Sequence, residues 1–165
     1  MTHKAFVFDF DDTLAETSAK IRVIHNGEVI RTLNSHEYAA YQLNDGETFC
    51  FREFTQETYV VNSTILSLGE YAWQLGQEGH PIYILTARQS TVAEAIRKRL
   101  AQAGITVKIV FCVGGPNVDV AAEKRKVLMT LIENYDIVYF YDDDERNVEQ
   151  AKEVGSQIKA KKVGN

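Results

Sequence analysis

The sequence contains little cysteine and little proline. Its two cysteines, Cys50 and Cys112, lie far apart among 165 residues, with no CxxC pattern and no nearby pair of histidines. This spacing argues against a disulfide framework and against a zinc site, and it is typical of a reduced, cytoplasmic protein. Proline occurs at positions 81 and 116, and no low-complexity tract or linker divides the chain. We therefore expect a single domain over residues 1–165.

Long apolar runs and a basic excess are also missing. No apolar run approaches the ~18–20 residues of a membrane-spanning helix, and the first residues lack a signal-peptide pattern, so we expect no membrane association. The net charge is −5, with −7 in residues 1–82 and +2 in residues 83–165, which disfavours binding to a long polyanion. We interpret most of the local basic clusters as solvated helix faces and a charged edge strand: residues 97–99, residues 124–126, and Lys159, Lys161 and Lys162.

Apolar runs of strand length alternate with amphipathic helical segments over most of the chain. Strands are predicted at 5–8, 82–85, 105–113, 137–141 and 157–163. Helices are predicted from Asn62-Ser63 through Leu75 and at 91–103, 121–135 and 145–154. This alternation predicts an α/β fold, a three-layer, Rossmann-like parallel β-sheet with helices on both faces.

Residues 15–60 interrupt the alternation. Within them, segment 20–32 has two β-branched runs around Asn26-Gly27, a dipeptide typical of type I′ turns, and we predict a β-hairpin there. A short helix is predicted to end at Tyr41, and residues 44–58 are polar and predicted to be irregular. The whole segment is too short for a full domain, so we interpret it as a flap or small cap inserted into the domain.

Three of the predicted apolar strands end in polar residues. The first is followed by Asp9 and Asp11, the second by Thr86, and the fourth by Asp142 and Asp143. Ligands of open α/β sheets bind beyond the carboxyl ends of the strands, so these side chains meet at one rim if the strands are neighbours. Clustered carboxylates repel one another unless a cation neutralises them, and oxygen ligands without His or Cys suit Mg²⁺. For any single aspartate, solvation of a strand end or capping of a helix is the alternative.

Three motifs resemble those of a known family. Phe6-Val7-Phe8-Asp9-Phe10-Asp11-Asp12-Thr13-Leu14 resembles the first motif of the haloacid dehalogenase (HAD)-like phosphohydrolases, an apolar strand followed by Asp-x-Asp-x-Thr. Ile84-Leu85-Thr86 is similar to the second motif and Phe140-Tyr141-Asp142-Asp143 to the fourth, in the same order over nearly the whole chain. The small flap and an Asp-Asp-x-x-x-Asn ending at Asn147 resemble small phage and bacterial members related to the phosphatase domain of polynucleotide kinase and to 5′-nucleotidases.

The resemblance implies a Mg²⁺-dependent phosphomonoesterase that acts through an aspartyl-phosphate. Asp9 is the implied nucleophile, a role that divides one difficult displacement into two easier steps. Asp11 is implied to protonate the leaving oxygen and later to activate water. The implied Mg²⁺ ligands are Asp9, Asp11 through its backbone carbonyl, Asp142, and Asp143 either directly or through water.

The resemblance also implies residues that contact the phosphate. Thr86 is implied to hydrogen-bond a phosphate oxygen, and Arg88 either reaches the substrate or faces solvent. The family has a lysine near the start of the helix before the fourth strand, and Lys124 and Lys126 compete for that role. Lys124 shares a helical face with apolar residues three, four and seven positions later, whereas the face of Lys126 is more polar. We therefore choose Lys124 for both catalysis and substrate binding.

The expected substrate is a nucleotide or a nucleic-acid end. A sugar phosphate or another small metabolite is the alternative, and a catalytically silent binding module on the same scaffold is a third hypothesis. The flap has an unusual number of aromatic residues, which we attribute mainly to packing and alternatively to stacking on a nucleobase: Tyr38, Tyr41, Phe49, Phe51 and Phe54. The sequence does not predict an oligomeric state.

Overall fold

The computed structural model describes residues 2–164. Strands within this range are β1 (Lys4–Phe8), β2 (Ala15–Glu16), β3 (Ile21–His25), β4 (Glu28–Leu33), β5 (Glu47–Cys50), β6 (Thr64–Ile65), β7 (Ile82–Thr86), β8 (Ile109–Cys112), β9 (Ile137–Asp142) and β10 (Ile158–Lys162). The α-helices are α1 (Ser35–Ala40), α2 (Glu57–Val61), α3 (Leu68–Gln77), α4 (Ala93–Gln102), α5 (Val120–Leu131) and α6 (Glu145–Lys152). Among these described helices, none is both long and apolar enough to cross a bilayer.

Five parallel strands form the central sheet, in the order β10-β9-β1-β7-β8. The middle strand, β1, is a continuous apolar run whose last four residues are buried, as expected for a strand covered on both faces. Its neighbours are in register with it, so that Phe8 lies opposite Ile84 of β7 and Tyr141 of β9. The carboxyl ends of β1, β7 and β9 therefore lie side by side.

Helices cover both faces of this sheet. On one face, Phe6 and Phe8 of β1 pack with side chains of α2, α3 and α4. On the other face, Val7 of β1 and Leu85 of β7 pack with side chains of α5 and α6. The predicted three-layer α/β architecture is confirmed.

The flap forms its own small sheet, in the order β4-β3-β5 and fully antiparallel. The predicted hairpin is confirmed, because Asn26 and Gly27 have φ angles of 52° and 77°, as a type I′ turn requires. Four of its aromatic residues pack on the buried core of the flap, which supports the packing explanation: Tyr38, Tyr41, Phe49 and Phe54. Phe51 differs from them, since 42% of its surface is exposed.

Three local predictions are wrong. Residues 44–58 are not irregular, because they contain β5, a 3₁₀ turn at Arg52–Thr55 and the first two residues of α2. The helix predicted from Asn62-Ser63 begins at Leu68, since Asn62 ends α2 and the next residues form β6. The strand predicted over 105–113 is confined to β8 because Ile105 and Val107 are buried in the preceding loop, where apolar side chains fill the core without pairing.

Candidate active site

Three predicted site residues lie together at the carboxyl ends of neighbouring strands. Asp9 directly follows β1, and its backbone N–H donates to the carbonyl of Tyr141 at 2.9 Å, which fixes it beside the end of β9. Asp142 is the last residue of β9 and Thr86 the last residue of β7. Both are completely buried, and Asp9 is 7% exposed. The rim expected from the sequence therefore exists and is sheltered from solvent.

Three carboxyl groups form a compact cluster at this rim. Asp9, Asp142 and Asp143 each offer one oxygen, and these oxygens all lie within 4.8 Å of one another. Burial raises the pKa of Asp9 well above its usual value, and the charge of Asp142 adds to the effect. Burial also raises the pKa of Asp143 to about 6. Asp9 and Asp143 therefore hold protons more tightly than isolated aspartates unless a cation stabilises their ionised forms.

Lys124 supplies one positive charge to the cluster. Its Nζ lies 2.7 Å from Oδ2 of Asp142 and 3.2 Å from Oδ1 of Asp9, and the residue is 1% exposed. Burial alone would lower the pKa of Lys124, but the two carboxylates raise it above the usual lysine value, so the ammonium stays charged. Lys126 points away, pairs with Glu123 and has a side chain that is 70% exposed. The prediction that Lys124 lies on the buried face of its helix is confirmed.

Hydrogen bonds hold the Asp142 carboxylate in place. Its Oδ1 accepts from the backbone N–H of Asp144 at 2.8 Å, and its Oδ2 accepts from Asn147 Nδ2 at 3.0 Å as well as from Lys124. Asp144 in turn caps α6 through the N–H of Arg146. The position of Asn147, noted in the sequence pattern, therefore serves to orient Asp142.

The Asp11 carboxylate lies outside the cluster and pairs with Arg88. Arg88 Nε and Nη2 each donate to one oxygen of Asp11 at 2.8 Å, in the bidentate geometry that strengthens such pairs. Arg88 is 3% exposed, its Nη1 donates to the carbonyl of Phe54 at 2.9 Å, and the Phe54 ring lies 4.7 Å from its guanidinium carbon. Its backbone N–H donates to Thr86 Oγ1 at 3.1 Å. Arg88 thus contacts the rim and the flap and does not face solvent.

The donor set fits a magnesium ion. The cluster provides carboxylate oxygens and no nitrogen or sulfur ligand, which is the preference of Mg²⁺. The side chain of Asp11 is engaged by Arg88, so its contribution to such a site would come from the backbone carbonyl. The raised pKa values of Asp9 and Asp143 describe a group of acids that a divalent cation would stabilise in the ionised form.

Comparisons with known proteins identify the fold. No protein-family model matches the sequence, and no curated protein matches it. Among solved structures, the Pnkp1/Rnl/Hen1 RNA repair complex contains a chain that matches 98% of this one, with a TM-score of 0.64 and 14% identity. This chain spans 42% of that matched chain.

Two bacterial structures are similar over nearly their whole lengths. The HAD domain of the effector Lem4 from Legionella pneumophila, an inactive mutant, has a TM-score of 0.52 and 18% identity, with 98% of this chain and 86% of that chain covered. A HAD-family enzyme from Bacteroides thetaiotaomicron, a magnesium complex, has a TM-score of 0.54 and 10% identity, with 99% and 94% covered. The chain has the HAD fold.

Within this HAD fold, the structure also shows contacts that sequence reasoning missed. Asp12 has a φ of 60° and accepts a hydrogen bond from Ser35 at the start of α1, which ties the flap to the loop after β1. Thr13 Oγ1 lies 3.4 Å from Oδ1 of Asp143. The acidic string that contains Asp12 is visible in the sequence, but no local pattern indicates that Ser35 lies against it.

Proposed function

We propose that this protein is a Mg²⁺-dependent phosphomonoesterase that forms an aspartyl-phosphate on Asp9. The observation that carries the proposal is the arrangement of Asp9 beside a buried lysine and two further carboxyls at the carboxyl end of a HAD-type sheet. A single acidic side chain at a strand end would not indicate this chemistry. A nucleophile, a cation and an acidic cluster around one point support phosphoryl transfer.

The proposed reaction has two steps. In the first, a carboxylate oxygen of Asp9 attacks phosphorus and the bond from phosphorus to the leaving oxygen breaks. Asp11 enters this step protonated on one oxygen, which leaves its bond to Arg88 while the other oxygen stays bonded, and it gives that proton to the leaving oxygen. In the second, water attacks the phosphorus of the acyl phosphate while Asp11 accepts a proton from it, which releases inorganic phosphate and restores the carboxylate of Asp9. The same carboxyl thus acts as acid and then as base.

The remaining residues bind and orient the phosphoryl group. Lys124 and the Thr86 hydroxyl donate hydrogen bonds to its oxygens. Mg²⁺, held by Asp9, Asp142, Asp143 and the backbone carbonyl of Asp11, supplies positive charge that offsets repulsion between the anionic nucleophile and the anionic substrate. The positive charges of Lys124 and Mg²⁺ would together balance the negative charge that develops in the transition state.

Arg88 was predicted to bind substrate or to face solvent, and its contacts favour a different role. The bidentate pair with Asp11 and the bond to the Phe54 carbonyl engage three of its nitrogens. We propose that Arg88 is a positioning residue that fixes the direction of the Asp11 carboxyl and the base of the flap. Contact with substrate would require Arg88 to give up part of this network.

We propose a nucleotide or a nucleic-acid end as the substrate, in the cytoplasm. The similarity to a chain of an RNA repair complex supports the nucleic-acid option. Phe51, the exposed flap aromatic, packs edge-on against Tyr38 with ring centroids 5.4 Å apart and provides a surface on which a base can stack. The two cysteines are free, which is compatible with a reducing compartment.

Hydrolysis of an aryl phosphate tests the reaction. We expect turnover with Mg²⁺, none with EDTA, and loss of activity in Asp9→Asn, while Asp45→Asn on the flap serves as a control with the same charge change. Activity that persists in Asp9→Asn, or that does not require a divalent cation, would refute the proposed mechanism. A panel of mononucleotides, phosphorylated oligonucleotides and sugar phosphates then identifies the substrate, and a preference for sugar phosphates would refute the nucleotide assignment.

A further inference from the structure

The edge of the central sheet carries two tyrosines on one face. Tyr139 and Tyr141 of β9 alternate with Val138 and Phe140, so the tyrosines share the face opposite to the one that packs on α6. Each tyrosine is partly buried by a phenylalanine of β1. Tyr139 stacks on Phe6 with centroids 4.8 Å apart, and Tyr141 stacks on another β1 phenylalanine at 5.0 Å. β10 lies on the other side of β9, and Tyr71 of α3 also contacts Tyr141 edge-on, with ring centroids 5.9 Å apart.

The neighbouring strand places lysines beside these rings. Lys159 pairs with Tyr139 and Lys161 pairs with Tyr141 in the register of β10 against β9. Both lysines are exposed, and their side chains have no ion-pair or hydrogen-bond partner among residues 2–164. Segment 157–163 contains three lysines and no acidic residue, in a protein whose net charge is −5. The edge of the sheet is therefore a locally positive surface.

The tyrosines and lysines line one groove of about 410 Å³. The groove runs along the strands, with about 7 Å between successive side chains on the same face. The end of the groove at the carboxyl ends of β9 and β10 adjoins the active site, because Tyr141 directly precedes Asp142 and Lys161 lies opposite Tyr141. A ligand lying in the groove would thus extend toward the carboxyl cluster.

We propose that this groove binds a single strand of nucleic acid whose terminal phosphate is the group presented to Asp9. Bases stack against the exposed surfaces of Tyr139 and Tyr141 that line the groove, and backbone phosphates pair with Lys159 and Lys161. Aromatic rings combined with cations along a groove are the combination that binds single strands without strong sequence preference. A duplex would not bind in this way because its bases are already stacked on one another. This inference rests on the proposed phosphatase function.

Lysines on an edge strand have another common role, which is to prevent pairing between sheets of different molecules. That role explains the charge, but it does not require the lysines to lie next to partly exposed tyrosines in a groove that leads to the active site. The two explanations differ in what they predict for oligonucleotide binding. Protection against aggregation predicts no effect of lysine substitution on binding.

Fluorescence anisotropy with a labelled decathymidylate that carries a phosphate at its unlabelled end tests the lysines. The Asp9→Asn protein is used with Mg²⁺ so that the probe is not consumed. We expect Lys159→Gln/Lys161→Gln to weaken binding by about tenfold at low salt and to reduce the slope of log K against log salt by about 1.4. The control is Lys98→Gln/Lys108→Gln, which removes the same charge from other exposed positions. Equal binding by the two double variants, or no binding of the probe at all, would overturn the inference.

Substitution of Tyr139 tests stacking independently of charge. We expect Tyr139→Leu to weaken binding at least about fivefold and Tyr139→Phe, which keeps the ring, to leave it unchanged. Circular dichroism and the thermal midpoint show whether Tyr139→Leu is folded. If it is not, Tyr141→Leu replaces it, with Tyr141→Phe as its matched control and the same expected loss of binding. Full binding by a variant without the Tyr139 ring contradicts stacking.

Activity assays separate this inference from the proposed function. In the protein with Asp9 intact, we expect the lysine double variant to hydrolyse an aryl phosphate normally while its KM for the phosphorylated oligonucleotide rises about tenfold. Normal aryl phosphate turnover without binding or hydrolysis of the oligonucleotide refutes the groove and leaves the phosphatase. Binding that depends on Lys159 and Lys161 without any phosphatase activity refutes the phosphatase, and with it the claim that the bound end is a substrate.

Discussion

Lys124 places a positive charge between two buried carboxylates. Its Nζ is close to both Asp9 and Asp142, and none of the three side chains is more than 9% exposed. When one partner is removed from a buried ion pair, the remaining charge is left without compensation in a poorly solvated site. Lys124 therefore stabilises the fold of the metal-free protein in addition to its proposed role in binding phosphate.

We predict that Lys124→Met lowers the free energy of unfolding of the Mg²⁺-free protein by about 3 kcal/mol. Urea denaturation in EDTA measures this value. Lys126→Met is the control on the same helix, and its exposed pair with Glu123 should contribute less than about 1 kcal/mol. Similar losses in the two variants would contradict the electrostatic role assigned to Lys124.

Substitution of Arg88 tests its assignment as a positioning residue. We predict that Arg88→Lys reduces kcat by about a hundredfold and leaves KM nearly unchanged, because a lysine cannot hold both oxygens of Asp11 and the general acid loses its orientation. Steady-state kinetics with an aryl phosphate provides both constants. A large rise in KM with an unchanged kcat would instead assign Arg88 to substrate binding, as the sequence first suggested.

At this scale the sequence predicts some contacts and not others. The burial of Lys124 follows from helical periodicity, since an α-helix has a fixed number of residues per turn. The pair between Asp11 and Arg88 spans 77 residues and depends on where the flap places Phe54, so no local pattern indicates it. The catalytic roles of Asp9, Asp11, Thr86 and Lys124 stay predictions until activity is measured.

Helices α3 and α4 are each followed by a glycine in a left-handed conformation. Gly79 follows α3 with a φ of 88°, and Gly104 follows α4 with a φ of 81°. Both values lie in the left-handed region that glycine adopts without steric cost. The predicted end of the second helix, at residue 103, is one residue beyond the last residue of α4. The two sites differ in their surroundings. A Cβ on Gly79 would meet no atom within 4 Å, whereas one on Gly104 would lie 2.9 Å from the Trp73 ring.

We predict that Gly79→Ala lowers the free energy of unfolding by about 1 kcal/mol, the conformational cost alone. Gly104→Ala should cost about 1 kcal/mol more, because the Trp73 ring must shift away from the new methyl group. Chemical denaturation of both variants measures the difference. Equal values would mean that Trp73 moves without loss of packing.

The bounds of strands and helices were predicted well where neighbouring residues in the sequence determine them. They were predicted poorly where tertiary packing determines them. The strands β1, β7 and β9 are continuous apolar runs, and the structure has them where the sequence indicated. The start of α3 was misplaced because Asn62 and Ser63 resemble a helix cap, whereas Asn62 ends α2. The buried loop residues Ile105 and Val107 look like strand residues because their side chains are apolar, and tertiary packing alone distinguishes the two cases.

For the whole molecule, the acidic cluster couples stability to pH. In the folded protein the pKa of Asp143 is about 6, above its usual 3.8, and the pKa of Asp9 is also raised. At these two groups the folded state therefore binds more protons than the unfolded state, and the contribution of Asp143 to stability falls as pH rises from about 4 to about 6. Below this window both states are protonated and the stabilisation is fully present.

We predict that in EDTA the thermal midpoint of the wild-type protein falls over this pH window by more than that of Asp143→Asn, which has no titrating group at that position. Asp45→Asn, an exposed change in the flap, should follow the wild type. Saturating Mg²⁺ should remove the decline, because the ionised carboxylates bind the cation. An identical pH dependence in Asp143→Asn and wild type would show that the cluster is not the source.

The class of fold was evident from the sequence because strand and helix patterns alternate over a long stretch of chain. Errors in the predicted bounds of single helices and strands do not change this alternation. The placement of the flap over the rim was not evident. It depends on contacts between residues distant in sequence, such as Ser35 with Asp12 and Phe54 with Arg88. Such contacts form when elements distant in sequence pack together. They produce no periodic pattern in the amino-acid sequence.

The pairing of β2 with β6 has a consequence for evolution. Ala15 lies opposite Ile65 and Glu16 opposite Thr64, so the chain leaves the sheet domain and returns to it through a narrow two-stranded neck. A different insertion joined at the same neck would leave the pairing of the five parallel strands undisturbed. It would also have to replace the flap contacts to Asp12 and Arg88. The inserted module can therefore be exchanged as a unit only together with new partners for these two residues.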